Sequence, residues 1–316
     1  MVRIKLSIAI IGAGNMAAAH LAVLSKMPEV TVSGIYSRTD GKAIALANKY
    51  EIGCVASSVS ELFEITKADG VVIAVNEVYT EAVCFEALAH PWQMLVEKPV
   101  GLEVMSTERI YAAGADRIFV AMNRRHFSSV TSAQRHLATI EAPRVVQIFD
   151  QEDPLTALNA GRPKEVCDQW HFANSIHLID LFTVFCRGAP LDVQNVIPWR
   201  IGYGAKITHS ILKFDSGDIA IYHSVWNGPG PWAVIVETPK SRVEMRPLEQ
   251  LGIQTYPSRR LEMVNLDPVD DDFKPGFWRQ MEQFVSALKG DTHSSVPLSS
   301  YLNSAILADR LYSTRS

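Results

Sequence analysis

The sequence lacks the features that mark membrane-spanning, nucleic-acid-binding and disulfide-rich proteins. No apolar stretch approaches the roughly 18 residues of a transmembrane helix. The chain has a net charge of −4 and no basic run, which argues against a nucleic-acid partner. Its four cysteines are scattered and include no C-x-x-C pair, so we expect buried thiols in a reducing compartment and no metal site. These absences together predict a cytoplasmic protein with no membrane partner.

The composition that remains is that of an ordinary globular chain. A chain of 316 residues, 47% of them apolar and 20% charged, can bury the cores of two domains. Strand and helix patterns alternate as far as Met122 and change after it. We therefore predict one domain over residues 1–122 and a second over residues 123–316.

A glycine turn after an apolar run organises the first domain. Gly12, Gly14 and Ala17 have the spacing G-x-G-x-x-A at the start of a helical pattern. The first glycine permits a tight turn, the second lets a pyrophosphate approach the backbone, and the alanine lets the helix pack closely on the strand. The helix start, with Asn15 and Met16, presents N–H groups to the phosphates. The turn therefore predicts dinucleotide binding, with a plain tight turn as the alternative.

Strands and helices alternate through the first domain with short links. β-Branched and apolar runs predict strands over about 6–11, 30–36, 53–55, 70–75, 93–96 and 118–122. Helical spacing predicts helices over about 16–27, 42–50, 59–66, 80–89 and 102–113, the third with a capping box formed by Ser58 and Glu61. This order predicts an α/β fold with a doubly wound parallel sheet and right-handed crossovers.

The residues after the second strand bear on the choice of dinucleotide. In this fold an acidic residue at that point holds the adenosine ribose hydroxyls, whereas the sequence has Ser37-Arg38-Thr39. A hydroxyl followed by a guanidinium suits a 2′-phosphate, so we predict that Ser37 and Arg38 contact NADP. Alternatively, Arg38 is a solvated loop residue or stacks on adenine, and the nearby Asp40 keeps NAD possible.

Polar residues follow the fourth and fifth strands, at the sheet edge where ligands bind in such folds. They are Asn76, Glu97 and Lys98, which we assign to cofactor binding, with Lys98 also a substrate ligand. A lysine beside an oxidised nicotinamide can donate a hydrogen bond to a substrate oxygen or lower the pKa of a reacting hydroxyl. Pro99 restricts Lys98 to an extended or turn conformation, with a cis bond possible. The alternative is a loop lysine without a chemical role.

Several motifs together resemble the Gfo/Idh/MocA family, named for glucose–fructose oxidoreductase and inositol dehydrogenase. They are Gly12-Ala13-Gly14-Asn15-Met16-Ala17, Val96-Glu97-Lys98-Pro99, Ala121-Met122-Asn123-Arg124-Arg125 and, later, His177-x-x-Asp180. By motif order the resemblance covers nearly the whole chain. It implies NAD(P)-linked oxidation or reduction of a carbinol on a sugar, cyclitol or sugar nucleotide. It also implies that Lys98 is catalytic and that a histidine of the second domain is the acid/base.

The second domain is predicted to be α+β. A helix is expected over about 128–140, capped by Ser128 or Ser129, then a strand over about 144–149, a loop over about 151–167 and a helix over about 170–185. Extended runs with turn residues fill about 192–263, and amphipathic helices over about 277–288 and 302–312 close the chain. Hairpin links predict a large, mostly antiparallel open sheet, in agreement with the resemblance. Because an uncovered sheet face usually meets another copy, we expect a homodimer or homotetramer through this sheet.

The predicted site of the second domain is on the helix that contains His177. Ala173 and Asn174 precede this histidine by one turn and Asp180 follows it, so all four share a helix face. A histidine near its reference pKa can exchange a proton at neutral pH. His177 is therefore our second catalytic candidate and also a substrate ligand, together with Asn174 and Asp180. The alternative is a buried core histidine.

One position departs from the family pattern. Active relatives commonly carry aspartate four residues before the histidine, where this chain has Ala173. Asp168 or His171 could substitute for it. Aromatic residues that could stack on a sugar ring, or belong to the core or an interface, are Tyr203, Trp226 and Trp232.

The leading hypothesis is an NAD(P)-dependent oxidoreductase with a small-molecule carbohydrate or sugar-nucleotide substrate. Lys98 would polarise the reacting oxygen and His177 would exchange the proton. One alternative is a dinucleotide-binding regulator or scaffold without turnover, which Ala173 favours and the presence of Lys98 and His177 opposes. The other is a glycoside-cleaving enzyme of the same fold that recycles NAD.

Overall fold

The computed structural model describes residues 5–199, 207–230 and 232–313, which form two compact units. The first unit comprises the residues up to Asn123 together with Val269–Leu302. The second comprises Arg124–Pro268 and the residues from Asn303 onward. The predicted domain boundary after Met122 lies one residue before the point at which the chain passes from the first unit to the second, after Asn123. The prediction assigned Val269–Leu302 to the second domain, whereas this segment groups with the first unit.

Strands and helices alternate in the first part of the chain, and strands dominate later. In chain order the strands are β1 (Leu6–Ile11), β2 (Val30–Tyr36), β3 (Val55–Ala56), β4 (Gly70–Ile73), β5 (Gln93–Glu97), β6 (Ile118–Ala121), β7 (Val145–Glu152), β8 (Pro190–Ile197), β9 (Ile207–Phe214), β10 (Ile219–Trp226), β11 (Ala233–Glu237), β12 (Ser241–Met245), β13 (Gly252–Thr255), β14 (Glu262–Met263) and β15 (Val296–Pro297).

The α-helices are shorter on average in the second unit. In chain order they are α1 (Asn15–Leu24), α2 (Asp40–Tyr50), α3 (Val59–Thr66), α4 (Thr80–Leu88), α5 (Val104–Gly114), α6 (Ser128–Leu137), α7 (Pro154–Asn159), α8 (Lys164–Asp168), α9 (Ile176–Ile179), α10 (Leu181–Phe185), α11 (Val269–Asp272), α12 (Phe277–Lys289) and α13 (Leu298–Tyr312). Among the helices of the described residues, none is both long and apolar enough to cross a membrane.

The sheet of the first unit has the strand order β15-β6-β5-β4-β1-β2-β3. Strands β1 to β6 pair in parallel, and β15 pairs antiparallel with β6 at the edge. The direction of winding reverses between β1 and β4, and such a reversal opens a crevice beyond the carboxyl ends of these strands. The predicted doubly wound parallel sheet is confirmed.

The core of the first unit is completed by a late segment of the chain. Ile8 and Val72 are fully buried, as expected for parallel strands covered on both faces. Phe277 and Met281 of α12 belong to the same apolar core. Because α12 packs on α1 and β15 extends the sheet, Val269–Leu302 is an integral part of this unit.

The sheet of the second unit has the order β14-β13-β12-β11-β7-β10-β9-β8. Strands β7 and β10 are parallel neighbours, and the other pairs are antiparallel. Along β7 and β10 every second residue is buried and its neighbours are partly exposed, so one face is covered and the other is more open. The predicted mostly antiparallel sheet is confirmed.

The prediction of a loop over about 151–167 is wrong. Strand β7 continues to Glu152, and α7 and α8 follow it. Asp153 Oδ1 accepts a hydrogen bond from the Thr156 N–H at 2.9 Å and so caps α7, which begins with Pro154. A capping aspartate followed by proline is a helix-start signal that the low apolar content of this stretch obscured.

Two predictions about helix geometry in this unit also fail. The residue preceding α6 is Phe127, so neither predicted serine caps the helix; their hydroxyls instead donate to distant carbonyls, Ser128 to Asp267 and Ser129 to Leu248. The single helix expected over about 170–185 is a π-helical turn, His171–Ser175, followed by α9 and α10. A π-helical turn accommodates one extra residue and changes which side chains share a face.

Candidate functional site

The glycine turn after β1 has the geometry that its spacing predicts. Gly12 has a φ of +115°, which a residue with a side chain rarely adopts. A Cβ atom on Gly12 would lie 2.1 Å from the Ala74 carbonyl oxygen. The position therefore requires glycine both for its backbone conformation and for the close approach of β4.

Gly14 faces open space. It is the N-cap of α1, it has no side-chain capping bond, and a Cβ atom there would meet nothing within 4 Å. The first N–H groups of α1 belong to Asn15, Met16 and the fully buried Ala17. An open helix start with these donors fits a pyrophosphate.

Lys274 adds positive charge beside this turn, and sequence reasoning missed it. Its Nζ lies 3.0 Å from Met16 Sδ and 5.0 Å from the centre of the Phe277 ring. The signal is weak in the sequence because Lys274 is more than 250 positions from the turn that it approaches. An ammonium group here reinforces the attraction of the helix start for phosphate.

Ser37 and Arg38 lie directly after β2, as predicted. Ser37 Oγ accepts from the Thr39 N–H at 3.3 Å. The Arg38 guanidinium carbon lies 4.0 Å from the centre of the Tyr79 ring, which is 42% exposed. The stacked ring holds the guanidinium at the end of β2, where the adenosine ribose lies in this fold.

The polar residues that follow β4 and β5 have different local roles. Asn76 Oδ1 accepts from the Val78 N–H at 3.2 Å and caps a short 3-10 turn. Glu97 is buried, and its Oε1 lies 2.8 Å from His20 Nε2 of α1. The Glu97 carboxyl therefore joins β5 to α1, and its predicted contact with the cofactor stays a prediction.

Lys98 follows β5 at its carboxyl end and is half-buried, and its peptide bond to Pro99 is cis. Because β5, β4 and β1 are consecutive in the sheet, Lys98, Asn76 and Gly12 follow neighbouring strands at one edge. This edge is where ligands bind in doubly wound sheets.

His177 is buried on α9 of the second unit, at 4% exposure. Asp180 is fully buried, and both of its oxygens accept from the Arg125 guanidinium at 2.5 Å. The Ser304 hydroxyl also donates to Asp180, at 2.7 Å. A buried bidentate ion pair thus occupies the carboxylate that was predicted to bind substrate.

The candidates for replacing an acid at position 173 are both unsuitable. Asp168 is exposed, and its carboxylate accepts from Lys164 Nζ at 2.6 Å. Burial lowers the pKa of His171 to about 4, so its ring is neutral at neutral pH, and it stacks on Tyr312 at 4.9 Å. Ala173 itself is buried at 4% exposure.

Asn174 contacts one of two buried acidic residues, Asp150 and Glu152, that were not predicted from the sequence. Its amide nitrogen donates to Glu152 Oε2 at 2.8 Å, and Glu152 lies two residues after Asp150 on β7. Both carboxyl groups are buried, at 2% and 0% exposure. Two acidic residues two positions apart in an alternating strand pattern indicate that both side chains lie on the same face. This pattern was overlooked because the two residues lie at the boundary between the predicted strand and the predicted loop.

The aromatic candidates are integrated into the second unit. The Trp226 indole N–H donates to the Tyr312 hydroxyl at 3.0 Å, which makes it a core residue. The Trp232 indole N–H donates to the Gln151 carbonyl at 2.9 Å, and Arg124 lies 4.0 Å above its ring. A shallow cavity borders this ring, and Tyr203 lies outside the described residues.

The cysteines and acids of the described residues form no other centre. Three of the cysteine thiols are buried and Cys54 is half-buried, and all four are free. Within residues 5–199, 207–230 and 232–313 there is no group of three potential metal ligands.

Solved structures with the same fold include dehydrogenases named for carbohydrate substrates. Levoglucosan dehydrogenase in complex with NADH is 15% identical, with a TM-score of 0.82 over 97% of this chain and 96% of that chain. UDP-N-acetylglucosamine 3-dehydrogenase GnnA from Acidithiobacillus ferrooxidans is 17% identical, with a TM-score of 0.79 over 98% and 97%. A dehydrogenase from Chromobacterium violaceum is 17% identical, with a TM-score of 0.82 over 97% and 94%. At these identities the likeness shows the fold.

Sequence comparison identifies the first unit more directly. A search of curated protein sequences gives no match. Residues 6–123 match the family model GFO_IDH_MocA, described as the oxidoreductase family with an NAD-binding Rossmann fold. The resemblance predicted from the motifs is thus confirmed over residues 6–123, which match the NAD-binding Rossmann fold of the Gfo/Idh/MocA oxidoreductase family.

Proposed function

We propose that this protein is an NAD(P)-dependent dehydrogenase or reductase that acts on a CH–OH group of a sugar, cyclitol or sugar nucleotide. The observation that carries the proposal is Lys98 at the carboxyl end of β5, on the same sheet edge as the glycine turn after β1. The carbohydrate dehydrogenases among the structural neighbours support the substrate class. When bound, the nicotinamide would accept or supply the hydride.

The first unit holds the dinucleotide through its backbone and two cations. The N–H groups of Asn15 and Met16 donate to the pyrophosphate, and Gly14 leaves the space for it. Lys274 adds charge at this point and Arg38 adds it at the ribose. These residues fit the pyrophosphate and the adenosine ribose.

Lys98 polarises the reacting oxygen. Its ammonium group donates a hydrogen bond to the substrate oxygen, which stabilises the negative charge that develops on that oxygen as the hydroxyl proton leaves. A half-buried position strengthens this interaction, because there is less water to screen the charge.

His177 exchanges the proton of the substrate hydroxyl. A neutral imidazole accepts this proton during oxidation and returns it during reduction. Asn174 remains a substrate ligand in this proposal: its amide nitrogen is engaged by Glu152, so its amide oxygen is the atom for a substrate hydroxyl. Arg125 and Asp180 position the helix on which His177 lies.

We further propose NADP as the preferred cofactor. The Arg38 guanidinium lies over the Tyr79 ring, and its N–H groups would grip a 2′-phosphate with two hydrogen bonds. The helix start of α2 carries Asp40, whose charge favours a ribose hydroxyl and so opposes this preference. The guanidinium is the stronger determinant here, since it follows β2 directly.

The open face of the second sheet supports an oligomer. We propose a homodimer or homotetramer, because one face of this sheet alternates towards partial exposure along β7, β9 and β10. A second copy would cover that face. Sedimentation of the purified protein tests this, and a monomer at micromolar concentration would contradict it. The four free thiols support a reducing compartment, for which we propose the cytoplasm.

The proposed function is tested first by calorimetric titration of the cofactor-stripped protein with NADPH and NADH. Binding of either dinucleotide is expected and justifies a screen of sugars and sugar nucleotides that follows the nicotinamide absorbance. With a substrate, Lys98→Ala and His177→Ala should each lower kcat by about 10²–10⁴-fold. Full turnover by either variant would contradict its assigned role, and dinucleotide binding without turnover of any substrate would favour the scaffold.

A further inference from the structure

Two carboxyl groups of β7 lie in the interior of the second unit, outside the residues assigned to the reaction. Asp150 and Glu152 point to the same face of the strand, the face that carries the buried side chains. Their exposures are 0% and 2%. Carboxylates are rarely buried in this way unless a partner compensates the charge.

One oxygen of each carboxyl group accepts hydrogen bonds from neighbouring side chains. Glu152 Oε2 accepts from Trp170 Nε1 at 2.5 Å and from Asn174 Nδ2 at 2.8 Å. Asp150 Oδ2 accepts from the Tyr222 hydroxyl. The Tyr222 hydroxyl lies 2.8 Å from that of Tyr312, which extends the network to α13.

The remaining oxygens indicate where a proton lies. Asp150 Oδ1 and Glu152 Oε1 are buried and accept no hydrogen bond from the described residues. The two carboxyl groups lie two residues apart on the buried face of β7, and each affects the pKa of the other. Two carboxylates are both acceptors, so a hydrogen bond between them requires that one be protonated.

The charges that face this pair fit a single shared proton. Arg124 approaches both carboxyl groups, and although burial lowers its pKa to about 10, its guanidinium stays charged at neutral pH. The other titratable neighbours, Tyr222, Tyr312 and His171, are neutral at that pH. One proton on the pair leaves it with one negative charge. Because Arg124 also faces Glu249, a second charge on the pair would exceed what this guanidinium balances.

We propose that Asp150 and Glu152 share one proton, and that Glu152 is a positioning residue that fixes the π-helical turn His171–Ser175 ahead of His177. Glu152 binds both Trp170, which precedes this turn, and Asn174 within it. The consequence for the reaction rests on the proposed function of His177. The shared proton itself is independent of that function.

The proposal predicts how stability depends on pH. Burial, and then the charge of Asp150, raise the pKa of Glu152 well above its usual value of 4.5, and burial raises that of Asp150. The folded state therefore keeps a proton that the unfolded chain releases. The contribution of the pair to stability should be greatest below pH 4.5 and fall as pH rises towards the pKa of the folded pair, by about tenfold per pH unit in the unfolding constant. The lowered pKa of the buried His171 acts in the opposite direction between about 4 and 6.5, so the contribution of the pair is read from the difference between the wild type and a Glu152 variant.

The test compares three variants of the full-length protein. Glu152→Gln replaces the protonated acid by an amide whose oxygen accepts from Trp170 and Asn174 and whose nitrogen donates to Asp150. Glu152→Ala removes these contacts. Glu262→Gln makes the same substitution at an exposed glutamate of β14 and is the matched control.

Infrared spectroscopy at pH 7 reads the proton directly, since exposed carboxyl groups are ionised there. A neutral carboxyl C=O band that shifts in D2O is expected in the wild type and in Glu262→Gln, and its loss in Glu152→Gln. The free energy of urea unfolding of the wild type relative to that of Glu152→Gln should also fall as pH rises above 4.5. Absence of the band in the wild type, or its persistence in Glu152→Gln, would overturn the shared proton.

The positioning role is read from the NMR signal of the His177 imidazole, assigned by its loss in His177→Asn. Glu152→Gln should keep the wild-type signal and Glu152→Ala should shift it; identical signals in both variants would overturn the role. With a substrate in hand, Glu152→Ala should lower kcat and raise KM, because both His177 and the substrate ligand Asn174 lose their support, and Glu152→Gln should restore both values. If the infrared and NMR results hold and no dinucleotide-dependent reaction is found, the pair stands and the proposed function fails.

Discussion

Gly12 and Gly14 are two residues apart and play separable roles. Gly12→Ala should destabilise the protein by about 2 kcal/mol or more, because the new Cβ meets the Ala74 carbonyl at 2.1 Å and the φ is +115°. Gly14→Ala should change stability by less than about 1 kcal/mol, since its Cβ meets open space and its φ is −89°.

The two glycines should also differ in their effect on dinucleotide binding. Gly14→Ala should weaken the binding of NADPH and NADH at least tenfold, because the methyl group enters the space for the pyrophosphate. Thermal unfolding and calorimetric titration of both variants check this. Undiminished binding by Gly14→Ala would show that the phosphates bind elsewhere.

The stack of Arg38 on Tyr79 gives a prediction about cofactor preference. Arg38→Ala should weaken NADPH binding by roughly 1–3 kcal/mol, the contribution of a charged hydrogen bond, and NADH binding much less. Tyr79→Ala should reduce the preference part of the way, because the guanidinium loses its support, and Tyr79→Phe should retain it.

Calorimetric titration of these three variants with both dinucleotides is the measurement. Arg260→Ala, which changes an exposed arginine of the second unit, is the control. Equal weakening of NADPH and NADH by Arg38→Ala would exclude the 2′-phosphate contact while leaving dinucleotide binding intact.

At the scale of elements, one buried ion pair joins three parts of the second unit. Arg125 lies in the turn Asn123–His126, Asp180 lies between α9 and α10, and Ser304 lies on α13. Arg125→Met should cost about 3–5 kcal/mol, because it leaves the fully buried Asp180 charge without its cation. Urea unfolding measures the loss.

The paired substitution Arg125→Met with Asp180→Leu discriminates the mechanism. It should recover much of the stability, since replacing a whole buried pair by apolar groups costs far less than breaking it. A double variant as unstable as the single one would mean that packing, and not charge, holds these elements together.

Local signals predicted the elements of the first unit well. Strand β1 and helix α3 have the predicted bounds, and the Glu61 N–H bonds to Ser58 Oγ at 3.0 Å, as the capping motif requires. The reciprocal half of the box differs, since the Glu61 carboxylate accepts from Ser57 at 2.5 Å. Neighbouring residues compete for such a carboxylate, and the sequence spacing does not decide between them.

The parts of the site that were missed depend on contacts between distant residues. Asp150 is buried because Tyr222 reaches it across the parallel pair of β7 and β10, and Tyr312 comes from the end of the chain. The π-helical turn is not marked by any glycine or proline. Asp180 satisfied the helical spacing to His177, but a better partner, Arg125, lay 55 residues away.

At the scale of the whole molecule, the first unit is discontinuous. A fragment of residues 1–123 lacks α12, whose Phe277 and Met281 are buried in the core, and lacks β15 at the sheet edge. It should bind a hydrophobic dye and unfold without cooperativity. Joining Asn123 to Val269–Leu302 by a short glycine–serine linker should restore a cooperative transition, because Asn123 Nδ2 already lies 3.0 Å from the Pro275 carbonyl.

Circular dichroism and calorimetry of the two fragments are the measurements. The linked fragment should also bind the dinucleotide, since the glycine turn, Arg38 and Lys274 all belong to it. Cooperative unfolding of the 1–123 fragment alone would show that the late segment is dispensable.

This discontinuity has a consequence for biosynthesis. The ribosome completes the first six strands and then makes about 150 further residues before α12. At about 5–20 residues per second, the nascent sheet waits roughly 8–30 s with the surface that Phe277 and Met281 later cover exposed to water. Translation intermediates halted within the second unit should therefore recruit chaperones that bind apolar surface, and those halted after α12 has left the exit tunnel should release them.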